Sequence, residues 1–298
     1  MVRSRSERPA PTISGHAVLS SPTEAQPDDD SPISAPLKFL WLGNSNDNPA
    51  REGVATGARR PELMAAELEA LLERPVTLVG KAIWPEEVLP GIVERWMERE
   101  KPEIVWLDVA AYWVCYESSP ARVKRWFGRL GQHAAAYGER AGRTKWLAER
   151  RTFRAVRKLT QIVIGGDPAF STEDVIERIT RCARIILRGE DVLLVIEAPR
   201  GRNNMYATRG AVRRGEVRRL RVHKAMRALA TELHCGFLGS DVSLRESAPI
   251  RNFQKDAFHM DETGHALSAA MDFPALRDAV LEHRENWLSD SNRAKLYR

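Results

Sequence analysis

A serine and a histidine near opposite ends of the chain have the side-chain types that nucleophilic catalysis needs. Ser45 follows an apolar run that ends in glycine and asparagine, Phe-Leu-Trp-Leu-Gly-Asn at 39–44. This pattern predicts a buried strand that enters a turn, with Ser45 just past its carboxyl end, where open α/β sheets bind ligands. There the hydroxyl could attack a carbonyl while the backbone N–H of Ser45 helps to hold the oxyanion. The same residue types are ordinary in turns, so Ser45 could instead cap the next helix.

The histidine belongs to an Asp-x-x-His pair near the end of the chain. Asp256 and His259 lie three residues apart, shortly before a turn that contains Gly264 and the start of an apolar helix. A carboxylate beside an imidazole can fix its tautomer and stabilise the imidazolium that forms when it accepts a proton from a serine. Many helices contain this spacing, so the pair gains weight only from the strand-end serine. His265 lies beyond the turn glycine, and we interpret it as a structural or surface residue rather than the base.

These side chains must be positioned by alternating strands and helices. Short apolar runs predict four strands and a possible fifth, at 38–42, 76–79, 104–109, 192–196 and 236–238. Apolar stripes predict helices that begin at Pro61 and at a Thr172 cap, and others over 86–100, 122–137, 145–164, 212–233 and 274–287. Strand-helix-strand units with short connections favour a parallel sheet with right-handed crossovers. The element order therefore predicts an α/β fold, a three-layer α/β/α sandwich.

Composition divides the chain into one folded domain and two tails. Residues 1–36 contain six prolines, seven serines and the acidic run 28–30, with almost no large apolar residue. Such a segment cannot offset its ordering entropy, so we expect a disordered N-terminal tail. Of the 298 residues 43% are hydrophobic, enough to bury one core, and we predict an α/β domain over 37–290 and a C-terminal tail over 291–298.

Charge, apolar stretches and cysteine content indicate where in the cell the protein is found more clearly than they indicate its function. The formal net charge is +6, from 46 lysines and arginines against 40 acidic residues, which suits ordinary solubility as well as nucleic acid. No apolar stretch approaches the ~20 residues that span a bilayer. The basic N-terminus lacks the apolar core of a signal peptide, so we expect a cytoplasmic protein with no membrane partner. The three cysteines form no Cys-x-x-Cys pair, and we expect neither a disulfide framework nor a zinc site.

Two arginine-rich stretches raise the alternative of a nucleic-acid-binding protein. One runs from Arg209 to Lys224, but helical spacing spreads its charges around most of the circumference, so we favour a solvated outer helix. The other, 146–158, interleaves Trp146 and Phe153 with basic residues, as single-strand binders do. It could equally lie over the mouth of an active site, with its basic side facing an anionic group of the substrate.

Together, the serine block and the histidine block resemble the SGNH (GDSL-type) hydrolase superfamily. Where that family has Gly-Asp-Ser, this chain has Gly-Asn-Ser at 43–45, and Asp256-Ala-Phe-His259 matches the family's Asp-x-x-His block. The resemblance spans about residues 37–290 and implies Ser45 as the nucleophile, His259 as the general base and Asp256 as the residue that orients it. It also implies a flavodoxin-like sandwich with a mainly parallel sheet, and a reaction that needs no metal or organic cofactor.

The middle blocks of the chain depart from the family pattern. The family's second block supplies a glycine whose N–H faces the oxyanion, and Gly80 is the best counterpart here. Aligning 102–109 with the strand of the third block puts Tyr112 where the family has the asparagine that completes the oxyanion hole. A phenol can donate one hydrogen bond but reaches farther than a carboxamide, and losing one oxyanion donor typically costs about 100- to 1,000-fold in turnover. Asn46 and Asn204 are alternative donors, and low activity is a further alternative.

The sequence therefore predicts a serine hydrolase that acts on a small-molecule ester or another acylated substrate. Water would release the acyl group, or an acceptor alcohol would do so in an acyltransferase. One alternative is a noncatalytic SGNH-like domain that binds a ligand through the same crevice, motivated by Tyr112 in the asparagine position. The nucleic-acid binder is the other, and no feature of the sequence specifies an oligomeric state.

Overall fold

The computed structural model describes residues 35–44, 47, 53–128, 150–189, 191–200, 208–239 and 259–283, apart from the side chains of helical residues 154 and 157. All of these residues belong to one compact unit, Ser34–Arg298. Only residues 35 and 36 of the predicted N-terminal tail are among them, and the predicted tail 291–298 lies outside them. Both tails therefore stay predictions.

Five strands form the central sheet in the described part of the chain: β1 (Leu37–Gly43), β2 (Val76–Ala82), β3 (Ile104–Asp108), β6 (Leu193–Glu197) and β7 (Gly236–Leu238). Two short antiparallel strands, β4 (Glu117–Ser118) and β5 (Asp167–Pro168), form a separate ribbon that was not predicted. The described helices, in chain order, are α1 (Arg60–Leu72), α2 (Leu89–Glu100), α3 (Ala111–Cys115), α4 (119–128), α5 (Arg151–Val163), α6 (Thr172–Ile186), α7 (Arg209–Glu232) and α8 (Glu262–His283).

The central sheet is parallel throughout, in the order β2-β1-β3-β6-β7. Trp41 of β1, for example, pairs with Gly80 of β2 on one side and with Trp106 of β3 on the other. This is the order of flavodoxin-like doubly wound folds, in which the direction of sheet growth reverses between β1 and β3 and ligands bind at the carboxyl ends of those strands. The prediction of an α/β fold with a mainly parallel sheet is confirmed.

Side chains that alternate along the strands bury an apolar layer on each face of the sheet. From β1, Phe39 and Trp41 belong to the layer that α1 and α8 cover. Leu40 and Leu42 belong to the opposite layer, which α2, α6 and α7 cover. Burial of one such side chain stabilises the fold by about 1.5–3 kcal/mol. The prediction of a three-layer α/β/α sandwich is confirmed.

Several strand boundaries differ from the sequence prediction. β2 continues through Gly80 to Ala82, because it stays paired with β1 over its whole length, so the predicted end at Gly80 is wrong. β3 ends at Asp108, and β6 is shifted by one residue and ends at Glu197. Each of these two central strands therefore ends in a buried carboxylate.

The last helix begins earlier than its apolar pattern indicates. α8 starts at Glu262 rather than at residue 274, and the Asp261 carboxylate accepts the backbone N–H of Gly264 at 2.9 Å, as a capping residue does. Pro274 lies inside the helix, where a proline removes one backbone hydrogen bond. The buried face of α8 continues on both sides of this proline and offsets the loss, with Ala269, Leu276 and Val280 in the core.

The other helices follow the prediction more closely. α6 has Ser171 as its N-cap instead of Thr172, and the Ser171 hydroxyl accepts the N–H of Asp174. α5 lies inside the predicted helix 145–164, while residues 129–149 lie outside the described part of the chain. None of the described helices combines the length and the apolar character needed to cross a bilayer.

Candidate active site

Only some of the predicted site residues are among those that the structure describes. Ser45, Asp256, Asn46 and Asn204 lie outside them, so the geometry of the predicted triad stays a prediction. His259 is half-buried and lies three residues before the start of α8. The polypeptide on either side of Ser45 is described at residues 43, 44 and 47, which locates the carboxyl end of β1.

The segment that follows Ser45 meets the segment that follows His259. The Asp47 carboxylate Oδ1 lies 3.4 Å from Nδ1 of His265. Nδ1 of His265 also accepts the backbone N–H of Arg60 at 3.2 Å, which satisfies one of the free N–H groups at the start of α1. A third contact joins the N–H of Ala55 to the Glu262 carboxylate at 3.1 Å. The front and the back of the chain therefore meet at the carboxyl edge of the sheet.

Arg60 is the centre of a buried polar cluster at this edge. Its guanidinium binds Asp47 through two nitrogens, Nη2 at 2.6 Å and Nε at 3.3 Å. Nη1 binds Glu197 at 2.7 Å and Asp272 at 3.1 Å, and Nη2 lies 3.4 Å from Asp108. All of these side chains are buried. We call Arg60 and these four carboxylates the Arg60 cluster.

Arg200 is the second cation in contact with the cluster. Its Nε binds Glu197 at 2.8 Å, Nη1 donates to the hydroxyl of Ser268 at 3.0 Å, and Nη2 binds Asp272. The indole of Trp106 donates to Glu197 at 3.1 Å, and its ring lies 4.6 Å from the guanidinium carbon of Arg60. Two guanidinium groups thus neutralise carboxylates contributed by β3, β6, α8 and the loop after β1.

The surroundings of these carboxylates shift their pKa values in opposite directions. Burial raises the pKa of Asp47, but the charge of Arg60 and its hydrogen bonds to Asp47 outweigh burial and lower the pKa to about 2. For Asp108, burial and the neighbouring Glu197 raise the pKa well above its ordinary value. Burial also raises the pKa of Asp272. Four carboxyl groups therefore face two guanidinium groups, and the raised pKa values of Asp108 and Asp272 are in the direction that reduces this excess of negative charge.

We expect the raised pKa of Asp108 to appear as a pH dependence of stability. The folded protein binds this proton more tightly than the unfolded chain, so the free energy of unfolding falls as pH rises above the ordinary carboxyl range. In Asp108→Asn this titration is removed, so the stability of the variant relative to the parent should rise as pH rises above the ordinary carboxyl range. Urea unfolding midpoints measure this difference. The exposed Asp278→Asn is the control, and an Asp108→Asn profile parallel to the parent's would contradict the shift.

The strand end that leads to Ser45 is fixed by a hydrogen bond and by a tryptophan ring that leaves no room for a side chain. The Asn44 side-chain amide donates to Oδ2 of Asp108 at 2.6 Å, which joins the carboxyl ends of β1 and β3. Gly43 is a glycine because a Cβ there would collide with the ring of Trp41. The chain therefore leaves β1 in a defined position at the point where flavodoxin-like sheets bind ligands.

The two predicted oxyanion donors lie in different settings. Gly80 is inside β2, where backbone N–H groups point sideways in the plane of the sheet rather than out of its carboxyl edge. Tyr112 lies on α3, four residues after the end of β3; its ring stacks on Tyr116 at 5.2 Å and meets Trp84 edge-on at 5.8 Å. The oxyanion roles of both residues stay predictions, and the location of Tyr112 suits such a role better than that of Gly80.

Some basic residues of α7 bind a buried carboxylate, although most of them are exposed. Arg214 and Arg218 both bind the buried carboxylate of Glu117, at 2.7 and 3.0 Å. Burial raises the pKa of Glu117, but the hydrogen bonds and charges of these two arginines lower it overall. Arg219 is itself buried and is an exception, because most basic residues of this stretch are exposed, as the interpretation of a solvated outer helix expects: Arg209, Arg213, Arg214, Arg221 and Lys224. The two arginines that bind Glu117 hold α7 against β4.

The Arg60 cluster was not predicted from the sequence. Its signals were the carboxylates that end two apolar strands, Asp108 and Glu197, and an arginine directly before the helix-opening Pro61. His265 was interpreted as structural or surface, and the structure shows the structural role, because its side chain is fully buried. Within the described ranges, no cluster of His, Cys, Asp and Glu has an arrangement that could hold a metal ion.

Comparison with solved structures finds esterases and lipases. The chain matches the psychrotrophic esterase EstA of Pseudoalteromonas sp. with 10% identity and a TM-score of 0.45, over 84% of this chain and 99% of that one. A Parabacteroides merdae protein described as a GDSL-like lipase matches with 15% identity and a TM-score of 0.47, over 82% and 97%. A carbohydrate acetylesterase family member from Sinorhizobium meliloti matches with 13% identity and a TM-score of 0.46, over 82% and 99%.

No protein-family model and no curated protein sequence matches the chain. The identities of 10–15% bear on the fold alone, and that fold is established by the chain's own strand order. Fold and site together define a doubly wound α/β/α sandwich with a buried polar cluster at its carboxyl edge.

Proposed function

We propose that this protein is a serine hydrolase of the SGNH type, with Ser45, His259 and Asp256 as its catalytic triad. The observation that carries the proposal is the 3.4 Å contact between Asp47 and His265. Asp47 lies two residues after Ser45, and His265 lies six residues after His259. A serine and an imidazole that are 214 positions apart in sequence are thus attached to segments that touch.

In the proposed reaction, the Ser45 hydroxyl attacks the carbonyl carbon of an ester and gives its proton to His259. The imidazolium then passes this proton to the leaving alcohol, which departs as the acyl group remains on Ser45. Water attacks the acyl-enzyme, His259 takes its proton, and the carboxylic acid is released as Ser45 regains its hydrogen. Asp256 would orient the imidazole and stabilise its charged form.

Tyr112 is proposed to donate to the oxyanion, and removal of its hydroxyl tests this role. In Tyr112→Phe, kcat for p-nitrophenyl acetate should fall about 100- to 1,000-fold with KM little changed, the typical effect of losing one oxyanion donor. The phenylalanine ring can keep its packing against Tyr116 and Trp84. Tyr116→Phe is the matched control and should keep turnover close to the parent's. Parent-like turnover in Tyr112→Phe would assign the donor to another residue, such as Asn46 or Asn204.

A noncatalytic ligand-binding domain is the second candidate function. The observation that favours it is Tyr112 in the place where the asparagine of the family pattern would stand. Under this alternative the same crevice would bind an acylated small molecule without turnover. Acyl transfer to an alcohol is a variant of the first proposal, since it differs only in the group that attacks the acyl-enzyme.

Turnover by the purified protein distinguishes these candidates. We expect hydrolysis of p-nitrophenyl acetate, butyrate or octanoate above the buffer rate, with saturation kinetics. Faster release of p-nitrophenol in the presence of a short alcohol, together with formation of the new ester, would identify the transferase variant. The noncatalytic alternative predicts no hydrolysis of any of the three esters, although the protein binds them.

A further inference from the structure

We propose that Arg60, acting through Asp47 and Asp108, is the residue that positions the Ser45 turn. Arg60 and Asp47 are positioning residues in this inference, which rests on the proposed function of Ser45. The described residues that flank Ser45 are both held in place: Asn44 precedes it and Asp47 follows it by two residues. Both of these flanking side chains are connected to the same guanidinium.

The connection between Arg60 and Asp47, two residues after Ser45, is direct. Asp47 faces Arg60 with both carboxylate oxygens, at 2.6 and 3.3 Å, and its side chain is fully buried. A two-point contact of this kind fixes orientation as well as distance, which a single ion pair does not. Two residues of chain span at most ~7 Å, so the position of Asp47 limits where Ser45 can lie.

The connection between Arg60 and Asn44, the residue before Ser45, runs through one carboxylate oxygen of Asp108. Oδ2 of Asp108 accepts the amide of Asn44 at 2.6 Å and lies 3.4 Å from Nη2 of Arg60. The same Nη2 binds Asp47. One guanidinium nitrogen therefore lies between the residue before Ser45 and the residue two positions after it.

Arg60 is itself fixed to the rest of the fold from several directions. Its backbone N–H binds His265 of α8, and Nη1 binds Glu197 at the end of β6. The guanidinium also lies over the ring of Trp106 in β3. These partners belong to the sheet and to the helix that follows His259. Arg60 therefore connects the residues that flank Ser45 with the segment that carries the proposed base. Misplacement of reacting groups by 1 Å can cost about 100-fold in rate.

The experiment compares Asp47→Asn with the control variant Glu103→Gln, which changes a bidentate arginine–carboxylate pair at the opposite edge of the sheet. Glu103 binds Arg74 through both oxygens, at 2.9 and 3.2 Å, just before the start of β3. The rate of Ser45 labelling by a fluorophosphonate and the kcat and KM for p-nitrophenyl acetate are measured under conditions where every variant is folded by circular dichroism. Asp47→Asn should lower both the labelling rate and kcat by about 10- to 100-fold with KM within a few-fold, while Glu103→Gln labels at the parent rate.

Two further variants separate positioning from stability. Asp47→Glu keeps the charge but moves the carboxylate by one methylene, so it should recover stability and still label slowly. Arg60→Lys keeps the charge and loses the two-point contact, and it serves the same test if Asp47→Asn does not fold. Parent-like labelling by folded Asp47→Asn, or by Arg60→Lys in its place, would overturn the inference alone. A parent protein that is not labelled at Ser45 would overturn the proposed function and this inference together.

Discussion

Replacing Ser45 with alanine should reduce the rate of ester hydrolysis by roughly 10⁴- to 10⁶-fold, to a value close to the rate in buffer alone. The reason is that removal of the nucleophile ends the acyl-enzyme route. His259→Ala should lose about as much, since the serine is a weak nucleophile without its base. The two residues act as a unit, so the double variant should be no slower than either single variant. Initial rates with p-nitrophenyl acetate at saturating concentration measure all three.

The control for this prediction is a serine outside the site. Ser171 caps α6 through a hydrogen bond to Asp174, and Ser171→Ala should lose about 1 kcal/mol of stability while keeping full turnover. A Ser45→Ala protein that hydrolyses the ester as fast as the parent would exclude the triad. A double variant slower than both single variants by the product of their effects would show that Ser45 and His259 act independently.

Replacing Arg60 with methionine should destabilise the protein by about 3–5 kcal/mol, the cost of leaving a buried charge without its partner. The variant keeps a side chain of similar length but removes the guanidinium that contacts all four buried carboxyl groups. Among the described residues, Arg200 is the remaining arginine bound to the cluster, through Glu197 and Asp272. The loss should be greater at neutral pH than in mild acid, because protonation removes the unpaired negative charges. Urea unfolding followed by circular dichroism at two pH values measures both effects.

An exposed arginine gives the comparison. Arg277 binds Asp278 on the surface of α8 at 2.7 Å, and pairs of this kind contribute about 0–1 kcal/mol. Arg277→Met should therefore change the unfolding midpoint very little. A loss below about 1 kcal/mol in Arg60→Met would mean that the Arg60 cluster does not stabilise the fold in the way its geometry indicates.

The sheet could be predicted from the sequence because its strands are apolar on both faces. Runs such as Leu193 to Ile196 are buried against helices on each side, so no polar alternation obscures them. The short connections then fix the parallel arrangement. The end of β2 at Gly80 was predicted wrongly because glycine usually marks a strand exit, whereas pairing with β1 holds the strand together for two residues more.

The buried polar cluster could not be predicted because its members are far apart in sequence. Asp47, Arg60, Glu197 and Asp272 meet only when the loop after β1, the end of β6 and the middle of α8 are folded together. No local pattern distinguishes such residues from surface charges. The continuous helix through Pro274 was missed for the same reason, since long-range packing outweighs the local preference of proline.

The most direct test of the triad is the site of covalent modification by a fluorophosphonate, read by mass spectrometry of a proteolytic digest. We predict one phosphonylated residue in the folded parent protein, Ser45, and loss of that adduct in His259→Ala. Either a folded parent that carries no adduct, or an adduct on a different serine, would contradict the account.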